Sequence, residues 1–167
     1  MDQELLFVVD ENDNPLPPLT RKEVVAEGLW RRAGGGAIID KSRRKVLCQK
    51  RSATLDERPG LWIALFGGKS APGEAPITTA QRELKEEMGI SVEQPELIFY
   101  KKIKSEERKQ FEYLYWVNWG GEMSQVHFDP GEVSEVAWQD ISKVTELLKN
   151  DRSWYSYGYD IEMLESI

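Results

Sequence analysis

The stretch GKSAPGEAPITTAQRELKEEMGI, residues 68–90, carries the strongest structural pattern in the chain. Its second half has apolar residues three or four positions apart, the spacing that places side chains on one face of a helix. These residues are Ile77, Ala80, Leu84 and Met88. Pro76 suits the first helical turn, and Gly89 suits the left-handed residue that ends many helices. The stretch therefore predicts a helix over residues 77–88.

Three glutamates share a second face of this predicted helix. Glu86 and Glu87 follow Glu83 by three and four positions, so all three fall within an arc of about 100°. Like charges at these spacings destabilise a helix by roughly 0.2–0.5 kcal/mol per pair unless cations neutralise them. Mg²⁺ prefers oxygen ligands and typically binds through one or two carboxylates together with substrate phosphates. A solvated helix face is the commoner explanation of three glutamates alone. The surrounding residues must therefore distinguish such a face from a metal site.

The surrounding residues form a motif. Gly68 is followed after five residues by Glu74, and after seven more by the segment RELKEEMGI, residues 82–90. This arrangement resembles the complete Nudix box, G-x5-E-x7-R-E-U-x-E-E-x-G-U with U an aliphatic residue, at every specified position. So many fixed identities coincide by chance in very few chains of this size. The resemblance implies a Nudix hydrolase with an α/β fold, a Nudix-type α/β/α sandwich with a mixed β-sheet.

The resemblance also implies which atoms hold the metal. Glu86 and Glu87 match the principal metal ligands of the family, and Glu83 matches a carboxylate that binds metal or activates water. Gly67 matches a backbone carbonyl ligand just before the box. The implied cofactor is Mg²⁺, for which Mn²⁺ can substitute.

Three further positions of the box resemble residues that support the glutamates. Arg82 and Glu74 match partners that orient the metal ligands, which must hold one geometry, and Gly68 opens the motif beside them. On this interpretation Arg82 belongs to the catalytic machinery. A purely structural salt bridge between Arg82 and Glu74 would leave the same sequence, so both interpretations stay open.

The motif does not fix the base that activates the attacking water. Family members differ in this residue, and Glu83 and Glu132 are equally good candidates here. Glu132, in the segment DPGEV at residues 129–133, resembles a downstream loop glutamate that many members bring into the site. A surface loop residue is the alternative interpretation. Glu112, in the predicted strand 111–119, is a weaker candidate for a metal ligand.

Alternation and turn residues outside the box predict strands and further helices. Strands are expected over residues 5–9, 37–40, 45–50, 97–103, 111–119 and 133–138, and helices over 141–148 and up to residue 164. The three glycines at 34–36 are interpreted as preceding a strand, and the apolar run 61–66 as ending in a loop. The length of 167 residues predicts a single Nudix hydrolase domain over residues 1–167.

The flanking segments resemble Nudix members related to isopentenyl diphosphate isomerase, through VVDENDNPL, TRKEV, GLWRRAGGGAII, CQKRS and PGLW. In those isomerases a histidine follows the Leu-Trp-like step, a cysteine precedes the box glycine and a histidine follows it. Here Arg31, Gly67 and Lys69 occupy these places, so proton transfer at an alkene carbon lacks an obvious agent and hydrolysis is favoured. Arg31, Arg51 and Lys69 are candidates for binding substrate phosphates, although lone basic residues are usually solvated.

The composition limits the partners. Asp and Glu outnumber Lys and Arg by 29 to 22, and the net charge of −7 argues against binding to nucleic acid or to an anionic membrane. Cys48 is the only cysteine, which excludes an internal disulfide and a cysteine zinc cluster. No apolar run reaches the roughly 20 residues of a spanning helix. Because the amino terminus is also acidic, unlike a signal peptide, the expected location is cytoplasmic.

These observations lead to one main prediction and two alternatives. The main prediction is Mg²⁺-dependent hydrolysis of a phosphoanhydride bond by metal-activated water, in a nucleoside diphosphate linked to another group or in a nucleoside triphosphate. The expected partner is therefore a small diphosphate-containing molecule, and a homodimer is left open. One alternative is a Nudix-fold module that binds a nucleotide without hydrolysing it, although such modules commonly lose box glutamates that this chain keeps. The other alternative, an isoprenoid diphosphate isomerase, is less favoured.

Overall fold

The computed structural model describes residues 2–167 and contains ten strands and four α-helices in that range. The strands are β1 (Leu5–Leu6), β2 (Val8–Val9), β3 (Leu19–Thr20), β4 (Trp30–Asp40), β5 (Lys45–Arg51), β6 (Trp62–Ile63), β7 (Phe66–Lys69), β8 (Leu97–Ser105), β9 (Gln110–Asn118) and β10 (Val133–Asp140). The helices are α1 (Arg21–Glu27), α2 (Pro76–Met88), α3 (Ile141–Asn150) and α4 (Tyr159–Glu165).

Eight of these strands form one mixed sheet, which confirms the predicted mixed β-sheet. The order is β10-β5-β4-β9-β8, while β2 and β7 also pair with β4, and β6 pairs with β5. β4 and β9 run parallel, and the other pairs of this sheet are antiparallel. Within residues 2–167, no helix combines the length and apolar character needed to cross a bilayer.

Helices cover both faces of the sheet, which confirms the α/β/α sandwich. On one side, called the α2 face, Ile38 packs in a core with Leu84 and Met88 of α2. On the other side, called the α4 face, Ile39 packs with α3 and with Leu164 of α4. Neighbouring residues of a strand point to opposite faces, so Ile38 and Ile39 serve different cores. Each fully buried side chain of this size contributes roughly 1.5–3 kcal/mol.

β4 begins at Trp30, seven residues before the predicted start at residue 37. The three glycines lie inside the strand because neighbouring chains approach them too closely for a side chain. A Cβ atom on Gly35 would lie 2.1 Å from the backbone oxygen of Phe66, and one on Gly36 would lie 1.6 Å from that of Tyr115. The glycines therefore allow close packing of the sheet.

Other boundaries also differ from the prediction. The expected strand over residues 5–9 is interrupted at Phe7, so that β1 pairs with β3 while β2 pairs with β4. Residues 66–69 form strand β7 beside β4, where a loop was expected. Helix α1 was not predicted, although Thr20 and Glu23 form a capping box at its start. The predicted helix over residues 77–88 is confirmed, with Gly89 in the left-handed conformation after it.

Candidate metal and diphosphate site

Two glycines allow helix α2 to pack directly against the backbone of the sheet. A Cβ atom on Gly34 would lie 2.5 Å from the carbonyl oxygen of Pro76 in α2. A Cβ atom on Gly68 would lie 2.3 Å from the carboxyl carbon of Glu83. A side chain at position 68 would therefore displace the Glu83 carboxylate from β7.

Arg82 links the acidic residues of the box. Its guanidinium donates to both oxygens of Glu74, at 2.9 and 3.1 Å, and to Glu83 at 2.6 Å and Glu86 at 3.0 Å. It also donates to the backbone oxygen of Lys69 at 3.0 Å. Burial alone would raise the pKa of Glu74, but the Arg82 bond and other hydrogen bonds lower it below its ordinary value. The arrangement holds the start of the box and its helix in one register.

Glu87 is partly buried between the helix and the sheet. It accepts a 3.0 Å hydrogen bond from Nε2 of Gln49 and another from the Gly67 backbone amide. Burial raises the pKa of Glu87 to about 8 against these hydrogen bonds, and the charges of Glu83 and Glu132 raise it further. Gln49 was missed by the sequence analysis; the available signal is a buried polar residue directly after the apolar run 46–48 of β5.

Glu83 and Glu86 lie in different environments. The side chain of Glu83 is 13% exposed, whereas that of Glu86 is 58% exposed. Burial raises the pKa of Glu83 above its ordinary value. The charge and hydrogen bond of Arg82 oppose this increase, whereas the charges of Glu86 and Glu132 add to it. Glu132 lies in the loop before β10, where its backbone oxygen accepts from Ser52 at 2.8 Å. The predicted carboxylates of Glu86, Glu87 and Glu132 thus all lie within electrostatic range of Glu83.

The carboxylate cluster suits a metal ion whose remaining ligands come from water and from the substrate. In residues 2–167, no three acidic, histidine or cysteine side chains converge closely enough to form a cage of protein ligands. Mg²⁺ does not need such a cage, because it usually keeps waters and binds one or two carboxylates plus phosphate oxygens. Glu83 and Glu87 are partly buried and repel each other and Glu132. A divalent cation would relieve that repulsion, so the residues fit an Mg²⁺ ion.

Glu112 is not brought together with these carboxylates. It is buried in β9 and accepts a 2.9 Å hydrogen bond from Gln110. Its other partners are the guanidinium of Arg108 and the hydroxyl of Tyr159 in α4. Glu112 therefore lies on the α4 face, opposite the helix carboxylates, and its oxygens are already used. The structure gives no support for the predicted metal ligand at this position.

Two of the predicted phosphate-binding residues lie together on the α4 face. Lys69 follows Gly68 in β7 and so points away from α2, while Arg31 donates to Gln110 at 3.2 Å. Burial lowers the pKa of Lys69 to about 8, and the charges of Arg21 and Arg31 lower it further. In residues 2–167, no carboxylate pairs with Lys69 or Arg31 within 4.0 Å.

Arg51, the third predicted phosphate-binding residue, lies at the end of β5. Its Nε donates to the backbone oxygen of Glu57 at 2.9 Å. It pairs with Val133 across the strands, directly after Glu132. Arg51 therefore flanks the loop that carries Glu132, rather than the pair formed by Lys69 and Arg31.

Comparison with known proteins identifies the family. The NUDIX domain matches residues 30–159, so the chain belongs to this family. This confirms the Nudix resemblance and the prediction of an enzyme of the Nudix pyrophosphohydrolase class.

Individual relatives carry two kinds of name. Isopentenyl-diphosphate Delta-isomerase 2 of Photorhabdus laumondii is 29% identical over 158 residues, which cover 93% of this chain and 88% of that protein. An uncharacterized Nudix hydrolase of Pseudomonas aeruginosa is 38% identical over 89 residues, covering 53% and 52%. Among solved structures, DR0079 from Deinococcus radiodurans has a TM-score of 0.74 with 17% identity, covering 98% of both chains. At that identity the match shows the fold alone.

Proposed function

We propose that this protein hydrolyses a phosphoanhydride bond, with Mg²⁺, in a nucleoside diphosphate linked to another group or in a nucleoside triphosphate. The observation that carries the proposal is the distribution of charge around β7. Carboxylates lie against Gly67 and Gly68 from the α2 face, and the cation of Lys69, one residue further, lies on the α4 face beside Arg31. A metal–diphosphate complex would supply the charge that each group lacks.

The metal would be held by carboxylates of α2 and by backbone. Glu83, Glu86, Glu87 and the carbonyl of Gly67 would bind Mg²⁺, with Mn²⁺ as a substitute. When bound, the metal neutralises phosphate charge and lowers the pKa of a coordinated water. Arg82 keeps Glu83 and Glu86 in place through its hydrogen bonds.

The remaining roles concern the water and the phosphates. Glu83 or Glu132 would accept the proton of the attacking water, since both carboxylates border the cluster. Lys69, Arg31 and Arg51 would bind the phosphate oxygens and hold the diphosphate across β7. Partly buried cations without carboxylate partners are suited to such anions.

A second candidate is isomerisation of an isoprenoid diphosphate, which the name of the Photorhabdus laumondii relative favours. Arg31, Gly67 and Lys69 stand where isomerases of this kind carry histidine, cysteine and histidine. The thiol of Cys48 is fully buried in the core, and burial raises its pKa. No thiolate is therefore offered at Gly67, which leaves isomerisation without its proton-transferring group.

A substrate panel tests the proposal. Nucleoside diphosphate derivatives, nucleoside triphosphates and isopentenyl diphosphate are incubated with Mg²⁺ or with EDTA, and the products are identified by chromatography. We expect phosphate-containing products only with Mg²⁺, and little activity in Glu87→Gln. Glu135→Gln, an exposed change in β10, is the matched control and keeps full activity. Turnover that ignores both EDTA and Glu87→Gln would disprove the proposal; an allylic isomer would favour the second candidate, and intact bound ligand a non-catalytic module.

A further inference from the structure

Three alternating tyrosines precede and begin α4. Tyr155, Tyr157 and Tyr159, here called the tyrosine ladder, lie in the segment YSYGY. The rings of Tyr155 and Tyr157 meet edge to face with centroids 5.0 Å apart, and those of Tyr157 and Tyr159 stack at 5.5 Å. The backbone amide of Tyr155 donates to Trp62 at 2.9 Å, which fixes the segment to β6. The ladder is thus an ordered aromatic wall.

Two arginines from distant loops stack on the tyrosine ladder. The guanidinium of Arg58 lies 4.1 Å from the ring centroid of Tyr155 and 5.1 Å from that of Tyr157. The guanidinium of Arg108 lies 5.0 Å from Tyr157 and 5.7 Å from Tyr159. Arg58 has a φ of 53°, a left-handed conformation that residues with a side chain seldom adopt. The guanidinium groups of both arginines thus lie over rings of the tyrosine ladder.

A cavity of about 210 Å³ opens between the tyrosine ladder and the turn that joins β8 to β9. This volume is below the roughly 300–1,000 Å³ of complete small-molecule sites, so it admits one ring system rather than a whole substrate. Among the described residues that line it, Ile103 is the only aliphatic one; the others are the three tyrosines and polar or charged side chains such as Arg108 and Lys104. Its walls are aromatic and polar.

The cavity lies at the far end of a row of residues that starts at the proposed diphosphate site. Lys69 pairs with Ala33, Ala33 with Glu112, and Glu112 with Ile103. Residues directly opposite in a sheet share a face, and adjacent strands lie about 4.8 Å apart. The row therefore spans roughly 14 Å across the α4 face, from β7 to β8. Glu112 fixes its far end, because it holds both Arg108 and Tyr159.

We propose that the tyrosine ladder, with Arg58 and Arg108 stacked on it, forms the subsite that binds the base of a nucleoside diphosphate substrate. This inference rests on the proposed function, because it assigns the organic half of the same substrate. Nucleobases stack on aromatic rings and guanidinium planes, and their edges accept and donate hydrogen bonds. A branched isoprenoid chain would instead remove water from charged groups without replacing their hydrogen bonds. The subsite therefore selects a nucleoside over an isoprenoid.

Binding of uncleavable ligands with one phosphate tests the subsite separately from hydrolysis. The affinities of AMP, GMP, CMP and UMP are compared by calorimetry with those of ribose 5-phosphate and dimethylallyl monophosphate, on the full chain with Mg²⁺. At least one nucleotide should bind roughly ten-fold more tightly than either reference, and Tyr157→Ala should abolish that advantage. Ribose 5-phosphate should bind within two-fold of its wild-type affinity. Phe99→Ala, which removes an exposed ring elsewhere on β8, is the matched control and should change nothing.

A loop variant keeps the test independent of folding. Should Tyr157→Ala unfold the chain, Arg58→Ala removes one stacked guanidinium from a loop and should lower the nucleotide advantage several-fold. The inference is overturned if no nucleotide binds more tightly than ribose 5-phosphate, or if the variants weaken all ligands equally. Absence of hydrolysis with a retained base preference would instead count against the proposed function alone.

Discussion

At the scale of single residues, Arg82 reduces the electrostatic repulsion among three acidic side chains of the site. Its guanidinium is shared among Glu74, Glu83 and Glu86, so it both neutralises and positions them. The sequence left open whether Arg82 orients the glutamates or forms a structural salt bridge. In the structure the same guanidinium contacts both Glu74 and Glu83. The two interpretations that the sequence left open are therefore compatible.

Arg82→Lys should lower kcat/KM by roughly ten- to one-hundred-fold, the usual effect of losing a group that orients metal ligands. A single ammonium cannot reach three carboxylates in the forked geometry of a guanidinium. Steady-state kinetics over a range of Mg²⁺ concentrations measure the effect, and Arg152→Lys at an exposed position is the control. Unchanged kinetics in Arg82→Lys would show that the bridge has no part in orienting the glutamates.

Asp13 is a second buried residue whose negative charge is stabilised by its partners. Its side chain is 4% exposed and contacts Arg32 at 2.7 Å, Lys102 at 2.5 Å and the hydroxyl of Tyr113. Burial would raise the pKa of Asp13, but these partners lower it below its ordinary value. Asp13 thereby joins the amino-terminal turn to three different strands.

Asp13→Asn should lower the free energy of unfolding by about 3 kcal/mol at pH 7, because it leaves buried cations without their anion. Asparagine tolerates the positive φ of 67° at this position, so the backbone conformation is kept. A lowered pKa means that the stabilisation is complete above the ordinary value near 3.8 and is lost as the pH falls through the folded value. Denaturation curves should therefore show that the difference in free energy of unfolding between wild type and Asp13→Asn decreases below pH 3.8.

The control for this pH dependence is Asp56→Asn, at an exposed position. Its stability should follow the wild type over the whole pH range. A gap between wild type and Asp13→Asn that stays constant into acid would mean that the ionised Asp13 carboxylate does not stabilise the fold.

At the scale of elements, the position of β7 against β4 connects the fold to the site. Gly68 of β7 faces α2 and the backbone amide of Gly67 donates to Glu87, whereas Lys69 lies on the α4 face. The distance of β7 from β4 therefore sets the positions of both the glutamates and Lys69. Gly35 lets the two strands approach, because no Cβ intervenes between it and the backbone of Phe66. Close packing of this pair is therefore a condition for the metal binding and phosphate binding proposed for β7.

Gly35→Ala should destabilise the chain by about 1–3 kcal/mol, the cost of forcing an extra group into a packed interior. It should also reduce hydrolysis, because β7 must move away from β4. Thermal unfolding and activity are measured together. Gly120→Ala is the control, since the atoms nearest to its methyl would belong to the Asp40 carboxylate, at 3.3 Å. Wild-type stability and activity in Gly35→Ala would contradict this account of β7.

The elements that local spacing defines could be predicted, and those that depend on distant partners could not. Helix α2 follows from residues three and four apart, so its face of glutamates was readable in the sequence. The glycines before residue 37 indicate a break when taken alone, and only the approach of β7 and β9 makes them part of a strand. The partners of Glu112 and of the tyrosine ladder are similarly distant in sequence. Their pairing leaves no periodic signal, so the sequence did not indicate that Glu112 contacts Arg108 and Tyr159.

At the scale of the whole molecule, an acidic chain concentrates uncompensated charge of both signs around one strand. The net charge is −7, yet Lys69 and Arg31 lie beside β7 without carboxylate partners in residues 2–167. The family relatives include proteins named as isomerases and as hydrolases. On the proposed function, hydrolysis rather than isomerisation depends on the side chains around β7, because the fold is common to both kinds of relative.

The proposed function requires that the glutamates of α2 hold a divalent cation. Titration of Mn²⁺, followed by the electron paramagnetic resonance signal of the free ion, tests this directly with wild type, Glu87→Gln and Glu135→Gln. We predict saturable binding to wild type and to Glu135→Gln, weakened at least ten-fold in Glu87→Gln, because loss of even a residue that only orients a metal ligand typically weakens binding by about ten- to one-hundred-fold. Equal binding by all three proteins, or no binding to any of them, would show that the α2 glutamates do not form the metal site.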